Sequence, residues 1–311
     1  LFPYTTLFRS QKVAAGTLGD ICERMQKEGI RNPAVIAIGS VVTLREKLRW
    51  FEDKILFGKK VLLTRSREQS HDMKKALSEH GADLIVCPTI KIVPLVENVE
   101  AFLGEMHFFD YLVFTSVNGV SAFRQALRRK RFDLRSFTAK VEAIGRKTAE
   151  ALEDIFVYPD TVPKEYTSSS LRDILEGPVK GKNVALVTSQ LGGETLLTGL
   201  RPSAATIRKV IAYRNEPNYS IKEKLMKEIN DGIDIAVFTS PSTFNYMLQI
   251  VEDKKSLSKI SKIASIGPVT KMAIEEKGFM VDIMPDEYTT ESLIEEILKH
   301  GVDGMRPGVT S

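Results

Sequence analysis

Short apolar runs bounded by turn residues alternate with stretches of helical spacing along most of this chain. VLLTR (Val61–Arg65) has the pattern of a short buried strand. From Glu68 to His80 the apolar positions recur at helical intervals, and Gly81 stands where a helix would stop. ADLIVCPTI (Ala82–Ile90) and YLVFTS (Tyr111–Ser116) are again strand-like. The resulting β-α-β-α-β order predicts an α/β fold, with parallel sheets covered by helices on both faces because crossovers between parallel strands are right-handed.

The first part of the chain follows a different pattern. GTLGDICERMQKEG predicts an amphipathic helix ending at Gly29, Ala34–Ile38 a strand, and Thr43–Trp50 a basic helix. Residues 11–57 are too few to fold alone with assurance. LFPYTTLFRS at positions 1–10 reads as an adapter-derived artefact, a tag or an apolar leader being the alternatives. It fits a signal peptide poorly, since no basic region precedes a long apolar core. The stretch from Gly301 to Ser311 reads as a disordered tail.

Between these ends the chain repeats itself. GKKVLLTRS (Gly58–Ser66) matches GKNVALVTS (Gly181–Ser189). YLVFTSVNGV (Tyr111–Val120) matches IAVFTSPSTF (Ile235–Phe244), and VEAIGRKTAEAL (Val141–Leu152) matches IASIGPVTKMAI (Ile263–Ile274). KEYTSSSLRDIL, with Tyr166, matches DEYTTESLIEEIL, with Tyr288. Four matches in one order at nearly constant spacing make residues 58–180 and 181–300 two copies of one module.

In both copies strands end on Thr-Ser or Ile-Gly, and helix-like sequence follows. Ligands of open α/β sheets bind at such carboxyl ends. The first N–H groups of each following helix lack backbone partners and carry partial positive charge, which suits a carboxylate or phosphate. Plain N-capping explains any single turn equally well. Four duplicated turns favour a shared anion-binding role.

Composition narrows the classes further. Hydrophobic residues are 43% and charged residues 27%, as in a water-soluble globular protein. No apolar run approaches membrane-spanning length. The net charge of +4 arises from 44 basic and 40 acidic residues, too balanced to suggest nucleic-acid binding. Arg124, Arg128, Arg129, Lys130, Arg131 and Arg135 cluster, either as a solvated face or to steer an anion. Cys22 and Cys87 lack metal-ligand spacing, and His71, His80, His107 and His300 are scattered, so neither zinc chemistry nor a disulfide framework is expected. The cysteine usage fits a reducing cytoplasm.

Two resemblances sharpen the reading. AGTLGDICERM, followed by NPAVIAIGSVVTLREKLRWFE, closely resembles the carboxyl-terminal end of uroporphyrinogen-III C-methyltransferases; Gly16 and Thr17 would be relics of that family's cofactor pocket. Only the tail is present, so residues 11–57 are expected to be a remnant without methyltransferase activity. From Gly58 to about His300 the chain resembles the uroporphyrinogen-III synthases. The resemblance is carried by VLLTRS, FTSVNGV (Phe114–Val120), IGRKTAEAL, VIAYR (Val210–Arg214), FTSPST and IGPVTKMAI in order. It implies two flavodoxin-like lobes joined by crossing linkers near Pro88–Pro94 and Glu216-Pro217. Domain one would be 58–90 plus 216–300, and domain two 91–215.

The resemblance further implies a cytoplasmic, monomeric lyase without metal or cofactor. It would close hydroxymethylbilane, an octacarboxylate, into uroporphyrinogen III with loss of water and inversion of ring D. Nucleic acid and membrane are not expected partners. Carboxylate contacts would come from Thr115, Ser116, Asn118, Gly145 and Thr148 in one lobe and Ser240, Thr243, Gly267 and Thr270 in the other, in an interdomain cleft. Arg65 is either a charge partner or an exposed strand-end arginine. Tyr213 is either the proton donor to the leaving hydroxyl or a packing residue. Ser189-Gln190-Leu191-Gly192-Gly193 departs from the family's usual loop, which puts Ser189 and Gly192 in doubt as ligands. Two rival functions remain: a non-catalytic two-lobe anion-binding module, and part of a bifunctional methyltransferase and synthase.

Overall fold

The structure is a computed structural model that describes residues 12–48, 50, 52–66 and 70–301. The readings of residues 1–10, of the helix start at Glu68 and of the tail beyond Gly301 fall outside the described residues. The chain divides into two compact units. One comprises the described residues up to Ile90 and from Pro217 onward, the other Lys91–Glu216.

In chain order the first unit begins with helices α1 (Ile21–Lys27) and α2 (Arg45–Leu48), then β1 (Lys60–Leu63), α3 (His71–Glu79) and β2 (Asp83–Val86). The second unit carries β3 (Ile90–Pro94, whose first residue still belongs to the first unit), α4 (Val96–Leu103), β4 (Tyr111–Phe114) and α5 (Val117–Lys130). It continues with β5 (Lys140–Ala143), α6 (Arg146–Glu153), α7 (Ser168–Leu175), β6 (Asn183–Ser189), α8 (Glu194–Leu200) and β7 (Thr206–Pro217). The chain then completes the first unit with α9 (Lys222–Asn230), β8 (Ile233–Phe238), α10 (Pro241–Val251), β9 (Ile260–Ser265), α11 (Pro268–Glu275) and α12 (Thr290–Gly301).

The first unit's sheet has the order β2-β1-β8-β9 and the second unit's β3-β7-β6-β4-β5. β1 pairs in parallel with β2 and β8, β8 with β9, β4 with β5 and β6, and β6 with β7. Alternating side chains of a strand point to opposite faces, and here both faces are buried. On β4, Leu112 and Phe114 pack with Val99 and Phe102 of α4, Phe123 of α5 and Leu152 of α6. Tyr111 and Val113 join Leu171 of α7 and Leu196 of α8 on the other face. In the first unit Leu62 and Phe238 meet α9 and α10 through Leu225 and Phe244, while Val61 and Leu63 meet α3 and α12 through Leu77 and Leu293. Helix α3 stops at a residue the sequence marks: Gly81 has φ +89°, a left-handed conformation that glycine adopts without strain.

The amino-terminal region departs from expectation. Residues 34–38 form no strand. Val35 is 98% exposed and Ile36 75%, and no described strand lies alongside to complete their hydrogen bonds. The helix expected over Thr43–Trp50 is a 3-10 turn at Ser40–Leu44 followed by α2. Packing of the first unit also reaches back before Gly58: Leu56 is fully buried, and its N–H donates to the His80 carbonyl at 2.9 Å.

Candidate functional site

Each sheet presents a row of polar groups along its carboxyl edge, because the strands are parallel and every following helix starts there. In the second unit the row runs from Tyr213 on β7 to Ser189 on β6, then Thr115 and Ser116 after β4 and Gly145 after β5. The strand registers set these neighbours: Ser189 lies opposite Tyr213, and Phe114 opposite both Val187 and Ala143. Ser116 caps α5, accepting from the Gly119 N–H at 3.2 Å. Asn118 is half-buried in the first turn of that helix. Gly145 is the N-cap of α6 in an extended conformation, and Thr148, 4% exposed, stands in its first turn. The Tyr213 ring packs against the core, and its backbone carbonyl accepts from the Gln190 N–H at 3.0 Å.

The first unit repeats the arrangement. Ser240 caps α10 and accepts from the Thr243 N–H at 3.4 Å. The Thr243 hydroxyl already donates to the Ser240 carbonyl at 2.7 Å, and the Thr243 carbonyl accepts from the Thr89 hydroxyl at 2.8 Å. Gly267 caps α11, and Thr270 is buried in its first turn. Arg65 follows β1, half-buried, and loss of solvent pulls its guanidinium below its ordinary pKa.

Two tyrosines outside the expected ligand set shape these edges. A Cβ built on Gly145 would lie 3.1 Å from Cβ of Tyr166, and one on Gly267 3.1 Å from Cγ of Tyr288. Each tyrosine therefore lies against a glycine N-cap, at the same place in both units. Three buried polar groups escaped the sequence reading. The Thr188 hydroxyl accepts from the Thr115 hydroxyl at 2.8 Å, while Thr239 Oγ1 and Ser265 Oγ have no hydrogen-bond partner. The repeat alignment pairs Thr115 with Thr239, and that was the signal available.

The basic cluster lies on a solvated face. Arg129 pairs with Glu97 and Glu100 at 3.1 and 3.6 Å, and Arg135 pairs with Asp133. Among the described residues no group of three His, Cys, Asp or Glu side chains is placed to hold a metal ion, and no helix is long and apolar enough to cross a membrane.

The family model described as uroporphyrinogen-III synthase HemD matches residues 71–295, which takes in the whole second sheet and all of the first but β1. The chain belongs to the uroporphyrinogen-III synthase family. Among similar proteins, the porphyrin biosynthesis protein HemD of Ruminiclostridium josui is 26% identical over 297 residues, covering 94% of this chain and 58% of that one. The chain thus spans little more than half the length of that relative. The uroporphyrinogen-III C-methyltransferase of Bacillus subtilis is 33% identical over 143 residues, 46% of this chain and 29% of that protein. A mutant uroporphyrinogen III synthase from Thermus thermophilus shares the fold with a TM-score of 0.54 at 18% identity, covering 79% of this chain and all of that one.

Proposed function

We propose that this synthase-family chain converts hydroxymethylbilane into uroporphyrinogen III. The observation that carries the reading is the family match, which runs through both copies of the duplicated module. The reaction expels the bilane's terminal hydroxyl as water, leaving an electrophilic azafulvene. Ring D then inverts through a spiro intermediate before the ring closes. A flexible octacarboxylate closes correctly only if its arms are held in a near-closed conformer, so positioning is the main catalytic effect.

In this reading the carboxylates are held by the N-termini of α5, α6, α10 and α11, with Thr115, Ser116, Asn118, Gly145 and Thr148 acting in one unit and Ser240, Thr243, Gly267 and Thr270 in the other. Arg65 adds a full positive charge. The Thr243 hydroxyl spends its proton on the Ser240 carbonyl and is left only as an acceptor, so a contact there falls to backbone N–H groups. Tyr213 donates a proton to the departing hydroxyl oxygen; general acid catalysis of this kind supplies about 100-fold or more. Residues 11–57 read as the end of a methyltransferase module, whose last residues, Leu56 among them, serve here only to pack the first unit's core.

The test is product identity. Hydroxymethylbilane incubated with the protein and then oxidised gives the type III porphyrin if the reading holds. The spontaneous type I isomer alone would mark a non-catalytic anion-binding module instead.

A further inference from the structure

The two carboxyl edges are built to one plan, and one of the places where they differ is the end of a central strand. β1 and β8 pair in the same register as β6 and β4, with Leu63 opposite Val237 and Leu186 opposite Val113. Just beyond, the second unit closes its edge with the Thr188–Thr115 hydroxyl pair at 2.8 Å. The repeat places Arg65 where Thr188 stands, and Thr239 where Thr115 stands. Two consequences follow. Thr239 is 9% exposed and its Oγ1 has lost its partner. A half-buried guanidinium, held below its ordinary pKa by loss of solvent yet still charged, takes the place of a hydroxyl. No carboxylate among the described residues is paired with it.

These groups line one pocket within the first unit, together with Ser70 and Thr290. Ser70 is the N-cap of α3 and makes no side-chain cap bond; Thr290 opens α12. Both helices turn their positive ends to the pocket. A partly desolvated cation without a partner is costly and favours an anion. The pocket is half open to solvent, and its inner space of about 10 Å³ takes one water-sized group, the size of a carboxylate oxygen.

We propose that this pocket is a carboxylate subsite peculiar to the first unit. Arg65 is its anchor, and Ser70, Thr239 and Thr290 are its hydroxyl lining. The subsite rests on the synthase reading for the identity of its ligand, one carboxylate arm of the bilane. The exchange of Thr188 for Arg65 makes the duplicated edges unequal, so a carboxylate arm finds this subsite in the first unit and not in the second.

The test uses the full chain with two ligands: hydroxymethylbilane for turnover, and uroporphyrin III as an unreactive octacarboxylate for binding. Arg65→Gln is expected to raise KM and the uroporphyrin Kd by about 10-fold to 100-fold with kcat little changed, the range of a charge-assisted hydrogen bond. Arg65→Lys recovers part of the loss, and Thr239→Val gives a smaller rise. The unliganded Arg65→Gln protein keeps or raises its melting temperature, because a half-buried cation has been removed. Unchanged KM and Kd in Arg65→Gln would overturn the subsite while leaving the synthase reading intact. A lowered melting temperature with unchanged Kd would make Arg65 structural and also overturn it. Wild-type protein that yields only the type I isomer sinks the synthase reading, and the uroporphyrin Kd then decides the subsite by itself.

Discussion

Glu142 sits on β5 with 1% of its surface exposed, and its Oε2 has no hydrogen-bond partner. Burial pushes its carboxyl up to about 7, the nearby Asp160 charge adds to the rise, and hydrogen bonds to Thr161 oppose it. A carboxyl whose folded pKa lies above its unfolded value favours the folded state most below the unfolded value. That contribution fades as pH climbs towards 7. The loss amounts to about 3 kcal/mol. Glu142→Gln should therefore raise the melting temperature at pH 8 and change it little at pH 4, as thermal unfolding at the two values will show. Equal shifts at both would contradict the assignment. The same scale holds the Tyr213 question. Tyr213→Phe is expected to lower kcat by about 100-fold with KM unchanged, and full activity would leave positioning alone. Residue roles were the least legible part of the sequence. The strand-end threonines stood out in the repeat, but whether a hydroxyl is spent, as in Thr243, or unpartnered, as in Thr239, depends on neighbours brought together only by the sheet.

The helices that follow the Thr-Ser strand ends were the most legible, with Ser116 capping α5 and Ser240 capping α10, while the capped helices α7 and α12 showed in the sequence only as a repeat. Thr167 caps α7 by accepting from the Ser170 N–H at 3.1 Å, and Thr289 does the same for the Ser292 N–H before α12, also at 3.1 Å. Both belong to the Tyr-Thr motif seen twice in the sequence. Thr167→Ala should cost about 1 kcal/mol, measured by urea unfolding, with synthase turnover retained. The strand expected at Ala34–Ile38 failed for a reason that local pattern does not reveal. An apolar run becomes a strand only where another backbone lies beside it, and at 34–38 none is described. Parallel strands such as β1 and β4 were legible because their buried runs are short and bounded by turns, and because each recurs in the second copy.

For the whole molecule, duplication in the sequence was the decisive feature, since it foretold two sheets with matching carboxyl edges. The sequence did not mark where the first unit's packing starts, because Leu56 precedes the repeated GKKVLLTRS motif yet is fully buried in the core. Leu56→Ala is expected to cost about 2–5 kcal/mol, whereas removing residues 12–50 should leave the melting temperature of the synthase units nearly unchanged. On the proposed function, each copy of the doubled module has reason to hold carboxylates of the many-acid substrate. Thr148 and Thr270 hold equivalent buried positions in the first turns of α6 and α11. The most direct measurement is the type III fraction formed at limiting hydroxymethylbilane by the unaltered protein, by Thr148→Val and by Thr270→Val. The account predicts mainly type III from the unaltered protein and about 10-fold higher KM in each variant, with type I rising as closure escapes the enzyme. Type I alone from the unaltered protein, or variants indistinguishable from it, would contradict the account.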